Sequence, residues 1–512
     1  MGKEVELKLE VPPRAIGQLK RLRTLHRGSR AQEKDLVSVY FDTAKHKLRK
    51  HGISLRVRHI GDKRVQTIKA NGHSAAGLFS RSEWEKRIDR DTPDLRAARS
   101  TALNGLMSKK LERSLKPVFE TQVHRTVLPL NGGGSRIELT LDRGQVRLGR
   151  KSAPISEVEL ELKRGRPADL FAVARKLTEK VPARFAVRSK ADRGYALVGG
   201  EPATAERAPA ITLDPRMSTG AAFHAIALGC LHHLAANEPA VRTQDAEGVH
   251  QMRVGLRRLR AAISVFSDLL DDDETAGIKS ELKWLTGELG PARDLDVYVT
   301  GNIKPLQRTL PDKRGLESLQ SDLDARRSDA FARARRAVES ARYRTLVLDT
   351  LGWIEGGEWT TTRDELIKAR RRRNAADFAR EELGRRLKKV TRKAKRLGKL
   401  DARRRHKLRI GMKKLRYAGD FFAALFTGRK AQKRLRRFER ELKRLQGGLG
   451  ALNDIAVHER LASKYVGRRG RRRQRAFAIG VVSGREQCRI DPLRAAAEEA
   501  ADRFAQVRPF WA

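Results

Sequence analysis

His250-Gln-Met-Arg253-Val-Gly255-Leu-Arg257-Arg258-Leu-Arg260 returns later in the chain as His406-Lys-Leu-Arg409-Ile-Gly411-Met-Lys413-Lys414-Leu-Arg416. A second echo follows each copy: Leu289-Gly-Pro-Ala-Arg-Asp294-Leu matches Leu449-Gly-Ala-Leu-Asn-Asp454-Ile. The histidines are 156 residues apart and the aspartates 160, so a helical unit is duplicated. At about 100° per residue, positions 0, +3, +7 and +10 share one helix stripe. His250, Arg253, Arg257 and Arg260 therefore lie on one face, and His406, Arg409, Lys413 and Arg416 on another. The apolar residues at +6 and +9 lie beside each stripe and pack inward. Two such faces predict one basic trough for a long polyanion. The neighbouring Arg258 and Lys414 are counted in the same binding set.

Charge around this unit points the same way. Of 512 residues, 111 are Lys or Arg and 62 Asp or Glu, a formal net charge of +49. Such a charge selects a polyanionic partner: nucleic acid, an anionic membrane or polyphosphate. Aromatics are only 5% of the chain, which argues against a reader that stacks single-stranded bases. No helix-turn-helix, RNA-binding aromatic motif or zinc spacing is present, so no specific nucleic-acid partner is expected. There is no run of 18 apolar residues and no signal-like start, and the two cysteines fit a reducing compartment. A cytoplasmic protein without a membrane partner is expected.

The expected organisation is three-part: a β-rich domain over 1–198, a Gly/Pro/Ala-rich linker over 199–214, and an all-α domain over 215–505. Pro291, Pro305 and Pro311 are expected to punctuate loops between helices. The run from Gly467 to Arg475 reads as a solvated loop or a helix start.

In the first domain strand periodicity is clear, and one face of each strand is charged. Glu4, Glu6 and Lys8 alternate with Val5, Leu7 and Leu9. Arg56 and Arg58 share a parity, as do Arg81, Glu83, Glu85 and Arg87. Glu138, Thr140 and Asp142 alternate with Ile137, Leu139 and Leu141. Glu157, Glu159, Glu161 and Lys163 alternate with Val158, Leu160 and Leu162. An antiparallel sheet with one solvated side accounts for the alternation. A closed barrel with a charged interior accounts for carboxylates concentrated on some strands and cations on others. Such an interior suits phosphoryl transfer, because hard divalent ions take carboxylate oxygens and Arg and Lys neutralise phosphate. No Ser-His-Asp or Cys-His nucleophile system is apparent.

Glu4-Val-Glu6-Leu-Lys8 at the start is similar to the ExExK signature of the CYTH family, the triphosphate tunnel metalloenzymes. Further motifs follow in family order: Tyr40-Phe-Asp42-Thr, Leu55-Arg56-Val-Arg58, Thr67-Ile-Lys69, Arg81-Ser-Glu83-Trp-Glu85, Ile137-Glu138-Leu-Thr-Leu-Asp142, Glu157-Val-Glu159-Leu-Glu161-Leu-Lys163 and Ser189-Lys190-Ala-Asp-Arg193-Gly-Tyr195. The duplicated half resembles the CHAD family, helical domains linked to polyphosphate and its granules. CYTH followed by CHAD resembles the architecture of bacterial inorganic triphosphatases.

The resemblance implies an eight-stranded antiparallel tunnel that binds triphosphate with Mg²⁺ or Mn²⁺. Glu4 and Glu6 would be metal ligands, opposed by two of Glu157, Glu159 and Glu161. Glu138 and Asp142 have the parity for a second ion. Lys8, Arg56, Arg58, Lys69, Arg81, Arg125, Lys163, Arg188 and Lys190 would bind phosphate. Glu83 and Glu85, with Lys8, form the expected catalytic set, balancing charge or placing water. The expected activity is hydrolysis of inorganic triphosphate, with long-chain polyphosphate held by the helical domain in association with granules. Two alternatives stand beside it. One is hydrolysis of an organic triphosphate such as thiamine triphosphate, which needs an aromatic pocket. The other is a non-catalytic polyphosphate-binding or granule-targeting protein with a degenerate tunnel.

Overall fold

The computed structural model describes residues 3–22, 31–132, 134–200, 204–309, 314–465 and 472–512. The chain divides into two compact units. The first is Met1–Glu206 with Leu231–Ala240 and Glu339–Gly357; the second is Arg207–Cys230, Val241–Val338 and Glu358–Ala512.

The first unit is built on β1 (Lys3–Glu10), β2 (Gln32–Asp42), β3 (Ile53–Ile60), β4 (Lys63–Ala75), β5 (Leu78–Ile88), β6 (Lys116–Gly132), β7 (Ser135–Leu148), β8 (Lys151–Arg164) and the two-residue β9 (Arg184–Phe185). Helices α1 (Pro13–Lys20), α2 (Lys47–Lys50), α3 (Lys109–Ser114), α4 (Pro167–Lys180) and α5 (Lys190–Gly199) lie between or after the strands. The sheet order is β5-β4-β3-β2-β6-β7-β8-β1-β9, and β5 also pairs with β1, so the eight long strands close on themselves. All pairings are antiparallel. The expected tunnel is present; β9 is an addition that pairs with the end of β1.

The alternation works inside out. The apolar set, Leu7, Leu9, Leu139, Leu141, Val158 and Leu160, is buried on the outer face, where α1 and α4 pack. The charged set points into the barrel. Further along the same strands the inward parity turns apolar: Val146 and Ile155 join Leu36, Tyr40, Phe119, Val123 and Tyr195 in a cluster that fills that end. Asp42 fastens this end. Its buried carboxylate accepts from the backbone N–H groups of Thr43, Leu48 and Arg49 and from the Tyr195 hydroxyl. Gly194 permits α5 to close down, since a Cβ there would lie 2.1 Å from the Phe119 ring.

The helices that follow are α6 (Thr219–Ala236), α7 (Glu238–Arg242), α8 (Ala246–Val265), α9 (Asp273–Tyr298), α10 (Lys304–Thr309), α11 (Arg314–Glu339), α12 (Ala341–Gly356), α13 (Glu358–Thr361), α14 (Glu365–Arg372), α15 (Ala375–Ala394), α16 (Ala402–Phe422), α17 (Arg429–Tyr465), α18 (Arg472–Gln487) and α19 (Ile490–Ala505). Among the described residues no helix is long and apolar enough to cross a membrane. Helix α12 clusters with the first unit and packs on α4.

The duplication has a spatial counterpart. The Thr219 N–H donates to the Arg373 carbonyl at 2.7 Å, and the Ala375 N–H donates to the Met217 carbonyl at 2.9 Å. Both pairs are related by the 156-residue spacing, so the bonds are reciprocal, as across a two-fold axis. Phe266 and Phe422, again 156 apart, meet edge to face at 5.8 Å. Tyr298 and His458, 160 apart like the aspartates, have ring centroids 4.9 Å apart. Leu256, Leu259, Met412 and Leu415, at +6 and +9 of each motif, are fully buried.

One sequence expectation is corrected. Pro291 lies inside α9, not in a loop. The residue four positions earlier, whose carbonyl a proline ring crowds, is Gly287. Buried Leu285, Leu289, Ala292 and Leu295 hold the helix through the defect. Pro305 corrects the same expectation: α9 runs through a π-helical turn, Val299–Ile303, directly into α10, and Pro305 lies just after that turn and not in a loop. Pro311 and residues 467–471 of the basic run lie outside the described residues.

Candidate active site and basic trough

Strand register sorts the inward charges into rows. Across β1, β8 and β7 these are Glu6–Glu161–Glu138, then Lys8–Glu159–Thr140, then Glu10–Glu157–Asp142. The barrel encloses a cavity of about 710 Å³. Eight cations line it (Lys8, Lys34, Arg56, Arg58, Lys69, Arg125, Lys163, Lys190) against six carboxylates (Glu6, Glu83, Glu85, Glu138, Glu159, Glu161), so the wall favours an anion.

The rows differ in chemistry. In the deepest, Asp142 and Glu157 are fully buried and do not line the cavity. Lys190 donates to Glu157 at 2.9 Å and to Glu159 at 2.8 Å, and lies 2.8 Å from Asp142. Arg193 holds Glu157 at 2.7 Å from behind. Arg125 makes two bonds to Asp142, at 2.7 and 2.6 Å, and one to Glu159 at 2.6 Å. Burial alone would raise the Glu159 pKa; Lys190, Lys8 and Arg125 overcome it and hold the carboxyl well below its ordinary range. Burial likewise opposes the charges of Lys8 and Lys190. Glu159 and Glu6 reverse that for Lys8, and Asp142 and Glu157 for Lys190, so both ammonium groups are held above their usual value. Neither lysine is a proton acceptor at neutral pH.

Nearer the other wall the balance tips. Glu83 lies 3.1 Å from Lys69 and 3.8 Å from Arg56, and Glu85 accepts from the Thr67 hydroxyl at 3.0 Å. Arg58 donates to the Ser38 hydroxyl at 3.2 Å and has no carboxylate partner among the described residues. Burial, then Arg56 and Arg125, push its pKa down to about 10. It is a guanidinium placed among guanidiniums.

Of the expected residues, Lys163 lies at the cavity edge, 2.6 Å from Glu161 and 3.7 Å from Glu138. Arg188 lies outside the lining and pairs with Glu206 at 3.7 Å. Glu4 and Arg81 face each other in the β1–β5 register, and their side chains lie outside the described residues. Lys34 and Tyr40 line the cavity and were not expected there. Their shared parity on β2 was the available signal.

In the second unit, each basic stripe is anchored by the helix carrying its aspartate. Arg253 lies 3.5 Å from Asp294, and its repeat partner Arg409 lies 4.0 Å from Asp454. Arg260 donates to Thr286 at 3.5 Å, and Arg416 to Gln446 at 3.3 Å. The histidines differ. His406 is exposed and 3.0 Å from Asn453, whereas His250 Nδ1 is buried without a partner among the described residues. Burial and then Arg293 lower the His250 pKa, so it is a neutral imidazole at pH 7. The two stripes come together: burial, Arg409 and Arg257 push the Lys413 pKa down to about 8. Arg258 and Lys414 lie elsewhere. Arg258 is buried over the Phe421 ring at 5.8 Å, and Lys414 donates to Ser264 at 2.9 Å.

Each part of the chain has relatives among known proteins. An inorganic triphosphatase from Haemophilus influenzae is 33% identical over 200 residues, 38% of this chain and 55% of that protein. The chain thus spans about half the length of the curated relative it matches. The CHAD domain structure from the plant Ricinus communis is 31% identical, covering 57% of this chain and 96% of that chain at a TM-score of 0.49. A Hippeastrum structure, described as a putative adenylyl cyclase with a dominant triphosphatase activity, is 18% identical. It covers 39% of this chain and 97% of that chain at a TM-score of 0.31. Residues 2–195 match the CYTH domain family and residues 225–463 match the CHAD domain family, so this chain is a CYTH domain followed by a CHAD domain.

Proposed function

We propose that the barrel hydrolyses the terminal phosphoanhydride of inorganic triphosphate and that the basic trough binds long-chain polyphosphate. The observation that carries the first half is Arg58, a barrel guanidinium with no described carboxylate partner and with Arg56 and Arg125 beside it. A phosphate chain relieves that repulsion. Arg56, Arg58, Lys69 and Arg125 grip phosphate oxygens, and protonated Lys8 and Lys190 neutralise charge as it builds on the bridging oxygen. Glu83 and Glu85, across the cavity, orient the attacking water.

The carboxylates fit a divalent cation, Mg²⁺ or Mn²⁺. Glu6, Glu161 and Glu138 are adjacent across three strands and line the cavity, offering hard oxygen donors. Glu159 is the next residue inward on the same face, and Glu4 is the next outward on β1. Asp142, Glu157 and Glu159 lie within 4.8 Å of one another, but Lys190 already occupies their centre. We therefore assign Glu6, Glu159 and Glu161 as ligands, with Glu138 for a second ion, and Glu157 and Asp142 as the seat of Lys190. A bound ion would draw charge from phosphate oxygens and lower the pKa of coordinated water.

An organic triphosphate is less well served. Tyr40 is the aromatic residue of the lining, and its ring is already stacked on Phe119 at 4.7 Å. In the trough, Arg253, Arg257, Arg260, Arg409, Lys413 and Arg416 outnumber Asp294 and Asp454, which supports polyanion binding; a cytoplasmic location with association to polyphosphate granules follows from that reading. The test is a phosphate-release screen of triphosphate, pyrophosphate, polyphosphate, ATP and thiamine triphosphate with Mg²⁺ and Mn²⁺. Triphosphate is expected to turn over fastest. No release from any substrate would leave only the binding half.

A further inference from the structure

Helix α16 has a second basic face. A groove of about 390 Å³ runs between α15, α16 and the end of α8. Its ionisable lining is entirely cationic: Arg385, Arg386, Lys389, Lys393, Lys407 and Lys414. Buried Glu382 accepts from both arginines, at 2.7 and 2.9 Å from Arg385 and 2.5 Å from Arg386. That leaves four lysines, and among the described residues none of them has a carboxylate partner. Around α16 the groove positions 407, 410, 411 and 414 are centred about 130° from the trough positions 406, 409, 413 and 416. The groove is therefore not the trough seen from another angle.

The duplication supplies an internal control. The residues 156 positions before Arg385, Arg386, Lys389, Lys393 and Lys407 are Gly229, Cys230, His233, Asn237 and Gln251, and only Lys414 matches a cation, Arg258. Cys230, His233 and Asn237 are buried. The repeat therefore folds without cations at these places, and their presence in the second copy is not a requirement of the architecture. Clustered like charges cost stability, so a face that the fold does not need points to a ligand. Lys414 shows the cost directly: burial, then Arg386 and Lys389, disfavour its charged form.

We infer that this groove is a phosphate-binding site separate from both the barrel and the trough, taking a compact run of phosphates. That chemistry is shared by a short free polyphosphate and by the phosphate tail of a nucleotide. Ile410 in the lining, 41% exposed, offers an apolar contact for a nucleoside if the second source is right.

The test is calorimetric titration of the full chain with tripolyphosphate and, separately, with ATP, in EDTA to suppress hydrolysis. Wild type is compared with a Lys389→Ala/Lys393→Ala/Lys407→Ala variant and with an Arg257→Ala/Arg409→Ala trough variant. Far-UV circular dichroism and a thermal melt beside wild type confirm that the helical domain of the triple variant is folded. The expected result is one class of sites weakened by at least about tenfold in the triple variant, the loss of one charge-assisted contact or more, and unchanged in the trough variant. Loss for tripolyphosphate alone identifies a free phosphate chain; loss for both ligands identifies a site that accepts a nucleotide tail. Unchanged binding in the triple variant, or equal loss in the trough variant, would overturn the proposal. Because the trough and barrel are separate arms, their failure as polyphosphate or triphosphate sites does not touch this result.

Discussion

Arg257 of the first repeat and Lys413 of the second occupy equivalent positions, 156 residues apart, and their positive charges oppose each other across the trough. With burial and Arg409, this lowers Lys413 to about 8. A bound polyanion restores the charged form. Polyphosphate affinity should therefore fall as pH rises through about 8, with one proton taken up per site on binding above that pH. Lys413→Arg should flatten this dependence. Stability moves the other way. The folded pKa is depressed, so the unfolded chain binds more protons between pH 8 and the ordinary lysine value, and Lys413 contributes stability that increases with pH across that window. Polyphosphate titrations from pH 7 to 9.5 check the first expectation, and denaturant melts the second.

Replacing Arg253, Arg257, Arg409 and Lys413 with Ala should weaken long-chain polyphosphate strongly and flatten its salt dependence, because fewer counterions are released. Triphosphate hydrolysis should change little. Equal salt slopes for wild type and variant would reduce the trough to a set of structural ion pairs, of which Arg253–Asp294 and Arg409–Asp454 are already two.

In the barrel the carboxylates should separate by row. Glu161→Gln should abolish metal-dependent hydrolysis and leave the melting temperature near wild type; Glu6→Gln and Glu4→Gln should abolish it with the fold intact, Glu6→Gln at a lower melting temperature because buried Lys8 loses a partner 3.0 Å away. Glu157→Gln should instead lower stability, since it strips Lys190 and Arg193 of a buried partner. Arg58→Ala should slow turnover on the order of 100-fold, as expected for losing a group aimed at developing charge. Steady-state rates at limiting Mg²⁺ beside thermal melts distinguish these outcomes.

Gly194→Ala tests how the closed end supports chemistry. The new methyl meets the Phe119 ring, and overpacking of this kind costs roughly 1–3 kcal/mol. Helix α5 must shift, and Lys190 with it, so KM for triphosphate should rise along with the loss of stability. An unchanged KM would uncouple α5 from the site.

Residues 1–200 alone contain every residue lining the cavity, so the fragment should hydrolyse triphosphate. It lacks α12, which covers α4 with Phe171 packed 3.7 Å from a Cβ position at Gly352. A lower melting temperature is expected, by about 2–4 °C for each kcal/mol lost in a domain of this size. A folded but inactive fragment would show that catalysis needs the rest of the chain.

Much of this was legible in the sequence because it rests on periodicity. Strand parity separated inward Glu6 and Lys8 from outward Leu7 and Leu9, and the helical stripe separated His406 and Arg409 from Leu415. Parity does not say how far along the barrel a residue sits. Glu157, Glu159 and Glu161 look alike in sequence, and only the register with β1 and β7 puts Glu161 in the lined cavity and Glu157 behind Lys190. Pro291 misled because its tolerance depends on Gly287 and on leucines that bury elsewhere. The groove on α15 was missed although Arg385, Lys389 and Lys393 recur at four-residue spacing, because in a chain this basic such a stripe reads as a solvated face; only its packing beside α16 shows the shared groove.

The apolar cluster of Val146, Ile155, Phe119 and Tyr195 turns the barrel into a blind socket. A linear phosphate admitted from the charged end must enter tip first and leave by the way it came. If Arg56 and Arg58 grip phosphate as proposed, bonds in the middle of a long polymer would not reach them, and cleavage of such a chain would proceed from its ends, releasing small pieces and leaving the remainder long.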